Sequence, residues 1–201
     1  MKNKLSALYV IVLSVMCIFL SGCGNKKNPE EAIDYLKSLK SYKCNIEIRT
    51  KNDRQSLNYE GKLYYDGKSG TRFELGDDRV LVYKGNNIFV KDLKNNSQYT
   101  TDESYDKTYK LSFIKNFVDL IYSNESIKTY FKKLDEKEYE IIELEIPGDN
   151  LNIQKAALYV SAKDYLPQWM IVYDSDYKEV LRFVYTDFKP NVQMDSKLFT
   201  M

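Results

Sequence analysis

From Tyr42 onward the apolar residues of this chain recur at every second position. Cys44, Ile46 and Ile48 alternate with Asn45, Glu47 and Arg49, and Leu57, Tyr59, Leu63 and Tyr65 alternate with Asn58, Glu60 and Lys62. Successive side chains of a strand point to opposite faces, so this pattern writes strands with one buried and one solvated face. Short turn signals follow at Asp66-Gly67, Gly76-Asp77-Asp78, Gly85-Asn86-Asn87 and Lys94-Asn95-Asn96. They delimit strands near Thr71–Leu75, Arg79–Lys84, Ile88–Asp92 and Ser97–Thr101. Connections this short join only antiparallel neighbours, which makes the first half a meander.

The alternation returns in Ser126–Leu134, Glu138–Ile146, Ile153–Ser161, Gln168–Asp174 and Glu179–Phe188, with turns at Pro147-Gly148-Asp149-Asn150 and Asp174-Ser175-Asp176. Around Ile141-Ile142 the apolar phase slips by one, as either a bulge or a strand covered on both faces requires. Two stretches follow a helical period instead. Asn28-Pro29-Glu30-Glu31 offers a cap, a proline at the first helical position and acids in the first turn, ahead of Ile33, Leu36 and Leu39 on one face. Leu111, Ile114, Phe117, Val118 and Ile121 mark a second amphipathic helix over Leu111–Tyr122. The expected fold is mainly β (α+β): one large curved antiparallel sheet, a half-barrel of about ten strands, with about two helices on its concave face.

Ahead of this domain, Lys2 and Lys4 precede an apolar run, Leu5–Leu20, that ends Leu20-Ser21-Gly22-Cys23. A cationic lead, an apolar stretch and small residues before a cysteine form a bacterial lipoprotein signal, cleaved before Cys23 and removing residues 1–22. Cys23 is then the lipid-attachment residue. Two acyl chains on one cysteine hold stably, at about 0.8 kcal/mol per buried methylene. Residues 23–28 form the lipid-anchored linker; its five residues Gly24–Asn28, at about 3.5 Å each, keep the domain within roughly 20 Å of the lipid. Removing residues 1–22 from 201 leaves 179, enough for one domain over 29–201. The implied place is the exported face of a membrane.

Composition removes several function classes. Lys and Arg number 30 against 29 Asp and Glu, a balance that offers no footprint for nucleic acid. There is no histidine, so serine–histidine, cysteine–histidine and histidine–zinc chemistries are excluded. With Cys17 in the leader and Cys23 lipidated, Cys44 has no intrachain partner and no disulfide framework holds the fold. Asp77, Asp78, Asp174, Asp176 and Asp187 lie at turns or strand ends, where aspartate supports turn geometry; no spacing matches a calcium loop. We therefore expect no catalytic residue, no metal and no cofactor.

The candidate ligand- or partner-binding residues are aromatic: Tyr105, Tyr109, Phe113, Phe117 and Trp169. Tyr105 and Tyr109 fall in Thr100–Lys110, which lacks periodicity and reads as a loop. Trp169, with Met170, Ile171, Val172 and Tyr173, either lines an apolar interior or is ordinary core. The two sheet edges, with segment 102–125 as hinge, also make a strand-swapped homodimer accessible.

The run LYVSAKDYLPQWMIVYDSDYKEVLRFVYTDFKPNVQMDSKLF, Leu158–Phe199, has a strand, Leu-Pro before the next strand, a hairpin, a strand ending in an aromatic and a closing Leu-Phe. In this order, and with the early helix and meander, the chain resembles the outer-membrane lipoprotein carrier (LolA/LolB-like) family over most of residues 29–199. The whole chain, Leu20–Cys23 included, is similar to the germination lipoproteins of spore-forming clostridia, which share that fold. The resemblance implies a non-catalytic role in germination and spore-cortex peptidoglycan modification through a partner N-acetylmuramoyl-L-alanine amidase that supplies its own zinc ligands. An alternative is a carrier or sensor of lipids or acylated proteins with an apolar concave cavity.

Overall fold

A computed structural model of the chain describes residues 28–51, 56–106, 108–123 and 126–201, with Lys51 by its backbone alone. The leader, Cys23 and the linker as far as Lys27 lie outside the described residues. Helix α1 (Glu30–Ser38) leads into strands β1 (Ser41–Lys51), β2 (Ser56–Asp66), β3 (Gly70–Leu75), β4 (Arg79–Lys84), β5 (Asn87–Asp92) and β6 (Ser97–Asp102). Helix α2 (Ile114–Ser123) follows, then β7 (Lys128–Leu134), β8 (Lys137–Glu145), β9 (Lys155–Ser161), β10 (Pro167–Tyr173) and β11 (Glu179–Pro190).

All of these strands join one open antiparallel sheet of 11 strands, in the order β6-β5-β4-β3-β2-β1-β11-β10-β9-β8-β7. The expected mainly β half-barrel with two helices is the observed architecture, with one strand more than the count of about ten. Strands β6 and β7 are consecutive in sequence yet form the opposite edges of the sheet. The connection carrying α2 therefore crosses the inner face. The seam between the halves is β1 against β11, with Ile46 opposite Tyr185 and Ile48 opposite Phe183.

The core lies between that inner face and the helices. Ala32, Leu36 and Leu39 from the first helical segment, and Ile114, Phe117, Val118 and Ile121 from α2, pack on Ile46, Ile48, Leu63, Phe73, Leu158, Met170 and Phe183. Asn28 caps α1 as its sequence suggests, its Oδ1 accepting from Glu30 N at 3.1 Å. The phase slip at Ile141-Ile142 is a doubly covered strand: β8 keeps an unbroken register with both neighbours, and Tyr139 through Ile142 are all buried. Ile142 faces the main core, whereas Ile141 joins a separate cluster on the outer face.

Candidate functional site

Among the described residues, the inner face carries an apolar cavity of about 950 Å³. Its floor is Ala156 and Met170, one wall is Phe117 and Leu120 of α2, and the other is the β8–β9 loop with Ile146 and Ile153. Glu103, Lys110, Asp119 and Asp149 supply polar groups to its lining. The volume falls in the range that takes a small apolar ligand. The β8–β9 loop is held by hydrogen bonds: Ile146 N donates to Gln154 O at 2.7 Å, and Ile153 N to Asn150 O at 2.9 Å.

The position of α2 depends on buried phenols. Tyr42 Oη accepts from Ile114 N at 3.0 Å, and Tyr185 Oη donates to Ser112 O at 2.8 Å. These contacts fix the start of α2 three residues later than the periodicity indicates. Tyr109–Ser112 forms a separate 3-10 turn and Phe113 is extended, at φ −81° and ψ 117°. The expected loop Thr100–Lys110 is organised by Asp106. Its Oδ1 accepts from Thr108 N and Tyr109 N at 2.9 and 2.8 Å, and its Oδ2 from Lys110 N and Tyr83 Oη at 3.0 and 2.6 Å. Burial, then the Asp106 charge, pushes the Tyr83 phenol far up, so it stays protonated and donates to Asp106.

The five aromatic candidates do not converge. Tyr105 is 81% exposed on the surface. Tyr109 lies half-buried against Phe73, with ring centroids 5.4 Å apart. Phe113 is core, edge-on to Tyr83 at 4.8 Å. Phe117 is buried and lines the cavity. Trp169 is on the other side of the sheet: a bulge between Pro167 and Trp169 sets the phase of β10 so that Met170 and Val172 face the main core. Trp169 instead joins Ile171 and Tyr173 on the outer face, stacked on Tyr159 at 5.0 Å and tilted against Tyr139 at 4.8 Å. Alternation therefore splits Trp169–Tyr173 between two sites, and only Met170 of the five lines the cavity.

Sequence reasoning missed Glu140. It is 0% exposed, with neither carboxylate oxygen hydrogen-bonded among the described residues. Burial, then the nearby Glu31 charge, raises it to about 7. Its only signal in the sequence is an acid at an inner-face position of β8. Among the described residues the two buried carboxylates, Asp92 and Glu140, sit on β5 and β8 of opposite sheet halves, and neither lines the cavity. No group of metal-binding side chains occurs among the described residues.

The model of the family described as sporulation protein YdcC-like matches residues 3–199. The chain belongs to that family. No curated protein matches this YdcC-like chain. Among solved structures, an uncharacterized conserved protein from Thermus thermophilus is 10% identical at a TM-score of 0.55, covering 85% of this chain and 90% of that one. A putative outer membrane lipoprotein-sorting protein domain from Vibrio parahaemolyticus is 8% identical at a TM-score of 0.50, covering 86% and 97%. Both share the fold. The complex of the CwlD amidase with the GerS lipoprotein, from Clostridioides difficile, includes a chain 22% identical at a TM-score of 0.45, with 80% and 92% covered.

Proposed function

We propose that this YdcC-like protein is a non-catalytic lipoprotein required for spore germination. It is anchored through Cys23 and positions or activates a cortex-modifying N-acetylmuramoyl-L-alanine amidase. The observation that carries the reading is a sporulation-family chain without histidine, whose buried acids lie on opposite halves of one sheet. Such a chain supplies neither a zinc site nor the usual general base, so the activity belongs to another protein. The similarity to clostridial germination lipoproteins makes an amidase the partner to test first. The domain offers it two open sheet edges and the exposed Tyr105.

Mixing the protein lacking its leader with the amidase of the same organism gives a co-eluting complex and raises the amidase's turnover or zinc retention. Separate elution at micromolar concentration, with turnover unchanged, ends this reading. Cys23→Ala leaves the fold intact and releases the protein from membranes in a salt wash, because no described helix is long and apolar enough to cross a bilayer.

The cavity favours one second reading, a carrier or sensor of acyl chains. Native mass spectrometry of protein purified without detergent separates the two. A carrier retains an acyl ligand that stays bound through purification; an empty cavity removes the carrier.

A further inference from the structure

The outer face of the sheet changes character along its width. Over β1–β3 it is ionic, with Glu47 and Arg49 paired at 2.7 Å and Arg72 and Glu74 at 2.8 Å. Over β7–β10 it is aromatic. Tyr139, Ile141, Ala157, Tyr159 and Ile171 bury one another there, with Leu134, Trp169 and Tyr173 partly exposed against them. Tyr130 and Tyr177 stand 42% and 48% exposed beside this cluster. No described helix covers it: α1 and α2 both pack on the inner face. Edge strand β7 completes the pattern. Its outer positions read Lys128, Tyr130, Lys132 and Leu134, paired with Glu143, Ile141, Tyr139 and Lys137 of β8.

We propose that this outer face of β7–β10 is a membrane-docking surface, whose Trp169 and tyrosine rings settle at the headgroup level of an anionic bilayer with Lys128 and Lys132 beside them. The proposal rests on the reading of Cys23 as the lipid anchor. Where the tether ends supplies the occupant. Asn28 caps α1, and the first turn of α1 is held to the β9–β10 hairpin, where Tyr165 Oη donates to Glu31 Oε2 at 2.5 Å. That hairpin opens directly into the strand bearing Trp169. Only Gly24–Lys27 lie between Cys23 and Asn28, roughly 14 Å of extended chain, so lipid lies within reach of this end of the sheet. Tryptophan and tyrosine favour the membrane–water interface, since each joins an apolar ring to a polar tip. Lysines are drawn to anionic headgroups. One acyl anchor and one protein surface together orient the domain, leaving the cavity and the β6 edge free for other partners.

Trp169 is the chain's single tryptophan, so its emission reports this surface alone. The full-length lipidated protein is reconstituted in phosphatidylethanolamine–phosphatidylglycerol vesicles, with and without brominated acyl chains, and recovered by flotation. Brominated lipid is expected to reduce Trp169 emission roughly twofold, and Tyr130→Ser with Lys132→Glu to restore most of it. Protein that floats with equal emission in both vesicles keeps its anchor but overturns the docking surface. Protein that fails to float overturns the anchor, and the docking surface with it. Emission that responds to the amidase or to peptidoglycan fragments while brominated lipid has no effect assigns the face to those partners and overturns the proposal.

Discussion

Glu140 shows how one side chain couples the fold to pH. A fully buried carboxylate with no hydrogen bond is too costly to keep ionised, and with Glu31 nearby it holds its proton up to about 7 against an ordinary value near 4.5. The folded state thus binds a proton that the unfolded state has already released. Its stabilising effect is fully present below the ordinary value and is lost as pH rises toward 7. Urea denaturation of the wild type should give an unfolding free energy that falls by up to about 3 kcal/mol between pH 4.5 and 8 from this group. Glu140→Gln should flatten that slope and gain stability at pH 8; an unchanged slope means that Glu140 does not titrate in this window. Sequence alone placed this acid on a strand. That it lies under the first turn of α1, near the Glu31–Tyr165 pair, depends on residues far apart in the chain. Tyr165 itself sits at φ +57°, unusual for a bulky side chain, and is held there by Glu31 and by the Tyr35 ring 6.0 Å away.

At the scale of elements, β2 has a gap in its alternation that the structure explains. Between Tyr59 and Leu63 the inner-face position is Gly61, where an added Cβ would stand 2.5 Å from Glu74 O and 2.9 Å from the Phe73 ring. Absence of a side chain lets β3 approach and Phe73 cross over β2. Gly61→Ala should therefore destabilise the protein by about 1–3 kcal/mol in thermal or urea unfolding, since the obstacle is backbone rather than a side chain that moves aside. A change within a few tenths of a kcal/mol would show that β3 yields. The strands were legible because turn residues and period-two alternation are local signals. The start of α2 was not, because the phenols of Tyr42 and Tyr185 reach Ile114 N and Ser112 O from across the core. The face taken by Trp169 was not legible for a similar reason: the bulge ahead of it, set by pairing with β9, decides it.

Across the whole molecule, the order of strands divides the chain at one seam. Residues before α2 build β1–β6 and residues after it build β7–β11, so within the sheet the halves meet only where β1 pairs with β11. Two copies that exchange halves through the 102–125 segment retain every strand pairing, at the entropic cost of association. Light scattering at rising concentration should reveal a dimer that dissociates slowly on dilution; a monomer mass throughout refutes exchange. The sequence by itself determined the fold class, the two helices, the meander and the lack of histidine chemistry, because periodicity, turn residues and composition are carried by neighbours in the chain. Only the tertiary structure decided that the aromatic residues divide between an inner cavity and an outer face, that β8 is buried on both sides, and that Glu140 has no hydrogen-bond partner among the described residues. Each of these depends on which strands lie side by side, and that order is fixed by packing between residues remote in sequence.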